Sequence, residues 1–269
     1  VRVPVVPLVL CAVVAVGCSE GDRAGSDGGR AVTSTSALPQ GDEAVHLDPA
    51  DFTADVDHPY WPMTPGTRWT YREVEDGVTL EVVVTATTAT RRIANGVTAR
   101  VVRDTVTEDG ELVEDTFDWY AQDREGNVWY LGEDTKEFED GRAVTTAGSF
   151  EAGVDGALAG IILPARPKVG MRYRQEFYRG EAEDNGEILA LGHMVDVPYG
   201  HLDDLLVTVD TNALEPEVLE YKMYAPGLGP VLALGISGGT GREELVSVDR
   251  VGPDAALGPL GDPDGAAGG

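Results

Sequence analysis

The chain has 269 residues, with 20 lysines and arginines against 47 aspartates and glutamates, a formal net charge of −27. With 42% hydrophobic residues, that length fills one sizeable core or two small ones. The charge excludes nucleic acid as a partner, because phosphate neutralisation needs a basic face, and it argues against docking on anionic lipid through basic residues.

In chain order, Arg2 precedes an apolar run from Val3 to Val16. The run is too short to span a bilayer comfortably and fits a signal-peptide core over residues 1–17. It ends in Ala15-Val16-Gly17-Cys18, which resembles a bacterial lipobox, and the resemblance makes Cys18 the lipidated first residue of the mature chain. Cys11 and Cys18 are the only cysteines, so the exported part has no disulfide and no cysteine-based zinc site. The expected location is extracytoplasmic, on the outer face of the cell membrane, with the membrane itself as partner through the lipid anchor. Residues 18–44 are rich in Gly, Ser, Asp and Thr and read as a disordered tether, and 252–269 read as a disordered tail. The β-rich domain is expected over 45–251.

Within that domain, strands and turns dominate. Residues 68–74 alternate, Asp76-Gly77 offers a tight turn, and 78–88 alternate again. Asn95-Gly96, Asp109-Gly110 and Asp140-Gly141 mark further turns, with strands expected at 97–107, 111–122 and 128–132. Later strands are expected at 171–178, 181–191, 204–212, 218–224, 230–236 and 243–250. No window carries a persuasive 3.6-residue period, and helix is limited to short stretches near 198–206 or 215–219. The fold class is therefore all-β with minor helix: an antiparallel meander, curved or rolled into an open half-barrel.

Few residues point to catalysis. Gly235-Ile236-Ser237-Gly238-Gly239 matches a nucleophile elbow, but a strand follows it and no histidine lies beyond His201, so no catalytic residue is assigned and no enzyme activity is expected. Oxygen ligands gather at Asp123, Glu125, Asn127 and Glu133, outside the EF-hand register but suited to a low-affinity extracellular Ca²⁺. Trp119-Tyr120 and Trp129-Tyr130 lie on adjacent strands, where neighbouring side chains face opposite sides. Each strand then sends one ring inward and one outward, towards an apolar ligand or under a strap formed by Pro59-Tyr60-Trp61-Pro62. Glu220, Lys222 and Tyr224 alternate on one strand face as a polar cluster.

The stretch Pro59 to Tyr71 (PYWPMTPGTRWTY), Asp118 to Glu133 (DWYAQDREGNVWYLGE) and Leu214 to Val231 (LEPEVLEYKMYAPGLGPV) resemble hallmarks of a group of secreted, actinobacterial-type lipoproteins of unknown function. On architecture the chain is also similar to half-barrel lipoproteins that carry lipids across bacterial envelopes. The resemblance implies a non-catalytic envelope protein binding a lipid or other apolar small molecule. The alternatives are a structural protein with Ca²⁺-organised acidic loops, and a secreted hydrolase using carboxylates such as Glu181, Glu183 or Glu220.

Overall fold

A computed structural model of the chain describes residues 38–252. The signal peptide, Cys18, most of the tether and the tail from 253 onward lie outside the described residues.

An N-terminal strap contains a 3-10 turn (Pro49–Asp51) and the short strands β1 (Phe52–Thr53), β2 (Asp57–His58) and β3 (Trp61–Pro62). A meander follows through β4 (Thr67–Glu75), β5 (Val78–Arg92), β6 (Thr98–Glu108), β7 (Glu111–Asp123) and β8 (Val128–Glu139). The chain turns back along β8 with β9 (Arg142–Thr145), β10 (Phe150–Glu151) and β11 (Leu158–Leu163). Then come β12 (Arg172–Arg174), β13 (Glu176–Phe177), β14 (Asp184–Val197), β15 (Gly200–Asn212), β16 (Leu219–Ala225), β17 (Gly229–Ser237) and β18 (Arg242–Arg250).

The strands pair antiparallel in the order β12-β14-β15-β16-β17-β18-β4-β5-β6-β7-β8-β11-β13. Its two ends, β12 and β13, are successive pieces of one segment joined by Gln175, whose backbone N–H donates to the Asp184 carbonyl at 2.8 Å. One short segment thus holds both edges, and the sheet curls into a nearly closed barrel. Closure removes the exposed edges that a sheet of this width would otherwise present.

Local chemistry explains most of the strand boundaries. At Asp76-Gly77, Asp109-Gly110 and Asp140-Gly141, both residues have positive φ, from 48° to 52° for Asp and from 72° to 85° for Gly. That is the type I′ geometry that matches strand twist. Asn95-Gly96 forms a wider turn instead, with the Ile93 N–H donating to the Val97 carbonyl and only Gly96 at positive φ. β8 runs past Gly132 to Glu139, because Gly132 lies against the Phe150 carbonyl, where a Cβ would stand 2.2 Å away. β11 (LAGIIL) had no alternation to reveal it, being almost wholly buried on both faces. Both helical candidates are absent: 200–212 is strand and 215–218 is a turn. Residues 38–43, placed in the tether on composition, dock on the barrel, where buried Arg174 donates to the Gly41 and Glu43 carbonyls at 2.7 and 2.8 Å.

Candidate functional site

Residues paired across an antiparallel sheet share a face, so register defines the inner wall. Tyr71 pairs with Val82 and Val82 with Val106; Val102 pairs with Asp118 and Asp118 with Glu133; Lys222 pairs with Ala233, Ala233 with Glu243 and Glu243 with Glu73. The inner wall has two layers. Towards the strap it carries Trp69, Tyr71, Tyr120, Tyr130 and Tyr224, and towards the Asp-Gly hairpins it is acidic.

The strap closes the aromatic end. Trp61 comes from β3, outside the barrel wall, and packs on Tyr120 at 5.3 Å and Tyr224 at 6.2 Å between ring centroids. Its seat depends on Gly229, where a Cβ would lie 2.6 Å from the indole. Beneath Trp61 is a cavity of about 30 Å³. Tyr71, Tyr120, Tyr224, Asp104, Asp118, Lys222 and Glu243 are among its lining residues. A drug-sized ligand needs roughly 300 Å³ or more, so an acyl chain has no room there while Trp61 is seated.

The acidic layer is unusual chemistry for a protein interior. Glu73, Asp104, Glu114, Asp118 and Glu133 line one side, and Glu176, Asp184, Asp210 and Glu243 complete it, all buried. Two like pairs, Glu73–Glu243 and Asp118–Glu133, stand directly opposite across strands. Against them, among the described residues, the layer sets the ammonium of Lys222, 3.2 Å from Asp210 and 3.4 Å from Glu220. Arg100, on the same strand as Asp104, turns to the rim and donates to the Ala54 carbonyl and Asp55.

Desolvation by burial favours the protonated, neutral form of a carboxyl group. Burial raises Glu114 to about 8, with Glu137, Asp118 and Glu73 adding to the rise and a hydrogen bond from Thr116 opposing it. Burial likewise lifts Asp118 to about 7 and Glu220 to about 8, and pushes Asp104, Glu133, Glu176 and Glu243 well above the usual carboxylate range. Geometry gives the same answer at one point. The Tyr130 hydroxyl lies 2.8 Å from both Asp118 and Glu133, and it has one proton to donate. It therefore donates to one carboxyl and accepts from the other, which must be protonated.

The sequence-derived candidates fall in different places. Tyr120 and Tyr130 face inward and stack at 5.0 Å. Trp119 and Trp129 face outward, but neither lies under the strap segment 59–62: Arg91 covers Trp119 at 4.0 Å, and Phe52 of β1 meets Trp129 edge-on at 6.0 Å. The proposed Ca²⁺ ligands do not converge. Asp123 Oδ1 accepts from the backbone N–H groups of Glu125, Gly126 and Asn127, and Oδ2 accepts from the Asn127 amide and the Trp129 indole. Its lone pairs are committed to the loop, Glu125 is exposed, and Glu133 is inside the barrel. Among the described residues, no three His, Cys, Asp or Glu side chains are placed to hold a metal ion. Ser237 lies in an exposed hairpin and donates to the Glu217 carbonyl at 2.7 Å. Of the candidate hydrolase carboxylates, Glu181 is exposed at a turn, Glu183 accepts from the Gly180 N–H, and Glu220 joins Lys222 in the interior.

The inner acids Glu73, Asp104 and Glu243 did not stand out in the sequence, because alternation normally puts charge on the solvent face. A usable signal was present. Glu73 follows Tyr71 by two, Asp118 precedes Tyr120 by two, and Lys222 precedes Tyr224 by two. On a strand that spacing puts the charge on the same face as the buried ring.

No family model matches the sequence, and no curated protein does either. Among solved structures, the chain is similar to a protein assigned to export, of YmcC-like fold, from Bacteroides fragilis NCTC 9343 (TM-score 0.40, 13% identity, 71% of this chain and 99% of that one). A protein assigned as a lipoprotein from Parabacteroides distasonis ATCC 8503 gives 0.38 and 10%, over 71% and 98% of the two chains. A β-barrel-like protein of the domain of unknown function DUF1849 from Brucella abortus gives 0.37 and 12%, over 69% and 98%.

Proposed function

We propose that this chain is a non-catalytic binding protein of the cell envelope, tethered through Cys18 and holding its ligand inside the barrel beneath Trp61. The observation that carries this reading is the chamber itself. Its walls belong to the nearly closed sheet, its cover belongs to a separate strap, and it keeps polar atoms that the protein does not satisfy: the Trp61 indole N–H, the Tyr120 hydroxyl and one oxygen each of Asp104 and Glu243. Buried polar atoms without partners are rare in folded proteins and mark places where something else binds. Native mass spectrometry of the full chain, purified without chelator, tests this. The expected result is an added mass that is lost on denaturation and lost in Trp61→Ala. The bare chain mass for the wild type would overturn the reading.

A further inference from the structure

The chamber faces two kinds of surface that rarely meet without a purpose. On one side are the rings of Tyr71, Tyr120 and Tyr224, and on the other are Asp104, Asp118 and Glu243, with the Lys222 ammonium on the same wall already drawn to Asp210 and Glu220. Resting on the reading of the barrel as a binding protein, we propose that its ligand is a small organic ammonium ion, its nitrogen between Asp104 and Glu243 and its carbon against the tyrosine rings.

The donor and acceptor inventory fits that class. Asp104 and Glu243 are each 4% exposed, and each keeps an oxygen with no protein donor. The Tyr120 hydroxyl, 1% exposed and likewise without a partner, can accept a third N–H. An ammonium supplies three donors, satisfied one at a time at about 2.7–2.9 Å. The aromatic faces add cation–π attraction, which strengthens when the cation is desolvated. A divalent ion fits less well, since Ca²⁺ wants roughly six to eight oxygens at about 2.3–2.6 Å, and no three acidic side chains converge in that way among the described residues. The chain also furnishes its own precedent, because Lys222 already places an ammonium at this layer beside Asp210 and Glu220. One water needs roughly 10–15 Å³ of such space, so the 30 Å³ here suits an ion of about two heavy atoms, such as methylammonium. A longer amine requires Trp61 to lift.

The test is calorimetric titration of the full chain at pH 7 with methylammonium chloride, against sodium chloride at equal ionic strength. The expected result is saturable heat with methylammonium only, together with a rise in melting temperature. Glu243→Gln and Asp104→Asn are each expected to weaken binding at least tenfold, whereas Glu111→Gln, on an exposed hairpin, leaves it unchanged. If the inner-wall carboxyl variants fail to fold, Tyr120→Phe keeps the ring and removes the hydroxyl, and a severalfold loss is expected. Heats identical to sodium chloride, or unchanged binding in every folded inner-wall variant, would overturn the amine assignment. If methylammonium fails while native mass spectrometry still shows a bound species that Trp61→Ala loses, the ligand class is wrong and the binding reading stands. If the chain also flies bare, both fall.

Discussion

The acidic interior makes stability depend on pH in an uncommon direction, and Glu114→Gln isolates one contribution. Glu114 titrates near 4.5 in an unfolded chain and at about 8 in the barrel. Between those values the folded chain holds a proton that the unfolded chain has released. The stability associated with that proton is therefore fully present below about pH 4.5 and is lost as pH rises through about 8. A rise of that size corresponds to on the order of 4–5 kcal/mol. Asp118, from 3.8 to about 7, and Glu220, from 4.5 to about 8, act in the same sense. In Glu114→Gln the amide oxygen keeps the hydrogen bond that the Thr116 hydroxyl now donates at 2.9 Å, and the titration disappears. Urea unfolding followed by tryptophan fluorescence suits the measurement, since Trp61, Trp69, Trp119 and Trp129 are all buried. The wild type should lose several kcal/mol between pH 5 and pH 9. The variant should match it within about 1 kcal/mol at pH 5 and exceed it by a few kcal/mol at pH 9. Wild-type stability that rises over this range, or a variant curve parallel to the wild type, would refute the assignment of a protonated Glu114.

Two further substitutions probe the cover and the loop. Gly229→Ala forces a Cβ against the Trp61 indole at a position with φ of 105°, so it should cost on the order of 1–3 kcal/mol and shift the fluorescence emission to longer wavelength as Trp61 leaves its seat. An unshifted spectrum with unchanged stability would show that Trp61 does not depend on that glycine. Asp123→Ala removes the acceptor for three backbone N–H groups, one amide and one indole, and should cost about 2–4 kcal/mol, equally in millimolar Ca²⁺ and in chelator. Calcium-dependent destabilisation in melting curves would instead restore Asp123 as a metal ligand.

Much of the barrel wall was legible because its punctuation is local. An Asp-Gly pair between alternating runs specifies a hairpin with no knowledge of what lies across the sheet, and such pairs marked β4 to β7 within a few residues, whereas β8 runs past Gly132 and β9 was not expected beyond the turn that precedes it. What was illegible is non-local. Closure depends on residues 172–177 pairing with strands on both sides, a fact of topology that no window around Arg172 contains. The same holds for β11, whose apolar run reads equally as buried strand or buried helix. The site was half legible. Tyr120, Tyr130 and Glu133 were singled out and do line the interior, but for separate reasons, as ring pairs and as a loop ligand. Their union with Asp118, Glu176 and Glu243 follows only from register.

The acids of the inner wall are hard to explain as ordinary fold-building residues. Hydrophobic substitutes at Glu73, Asp104 and Glu243 would pack a barrel of this size without desolvation cost, and opposed carboxylates across a strand pair weaken a sheet rather than strengthen it. A chain that keeps them accepts a stability penalty at neutral and alkaline pH in exchange for something the interior does. Local rules of folding are violated chiefly where function requires it. Part of the violation, at Asp104, Asp118 and Glu243, lies beside one small cavity, beneath Trp61. Protons can neutralise such a layer and so can a cation, and the two compete for the same oxygens. A ligand of positive charge would then bind more tightly as pH rises, over the same interval in which the empty barrel loses stability.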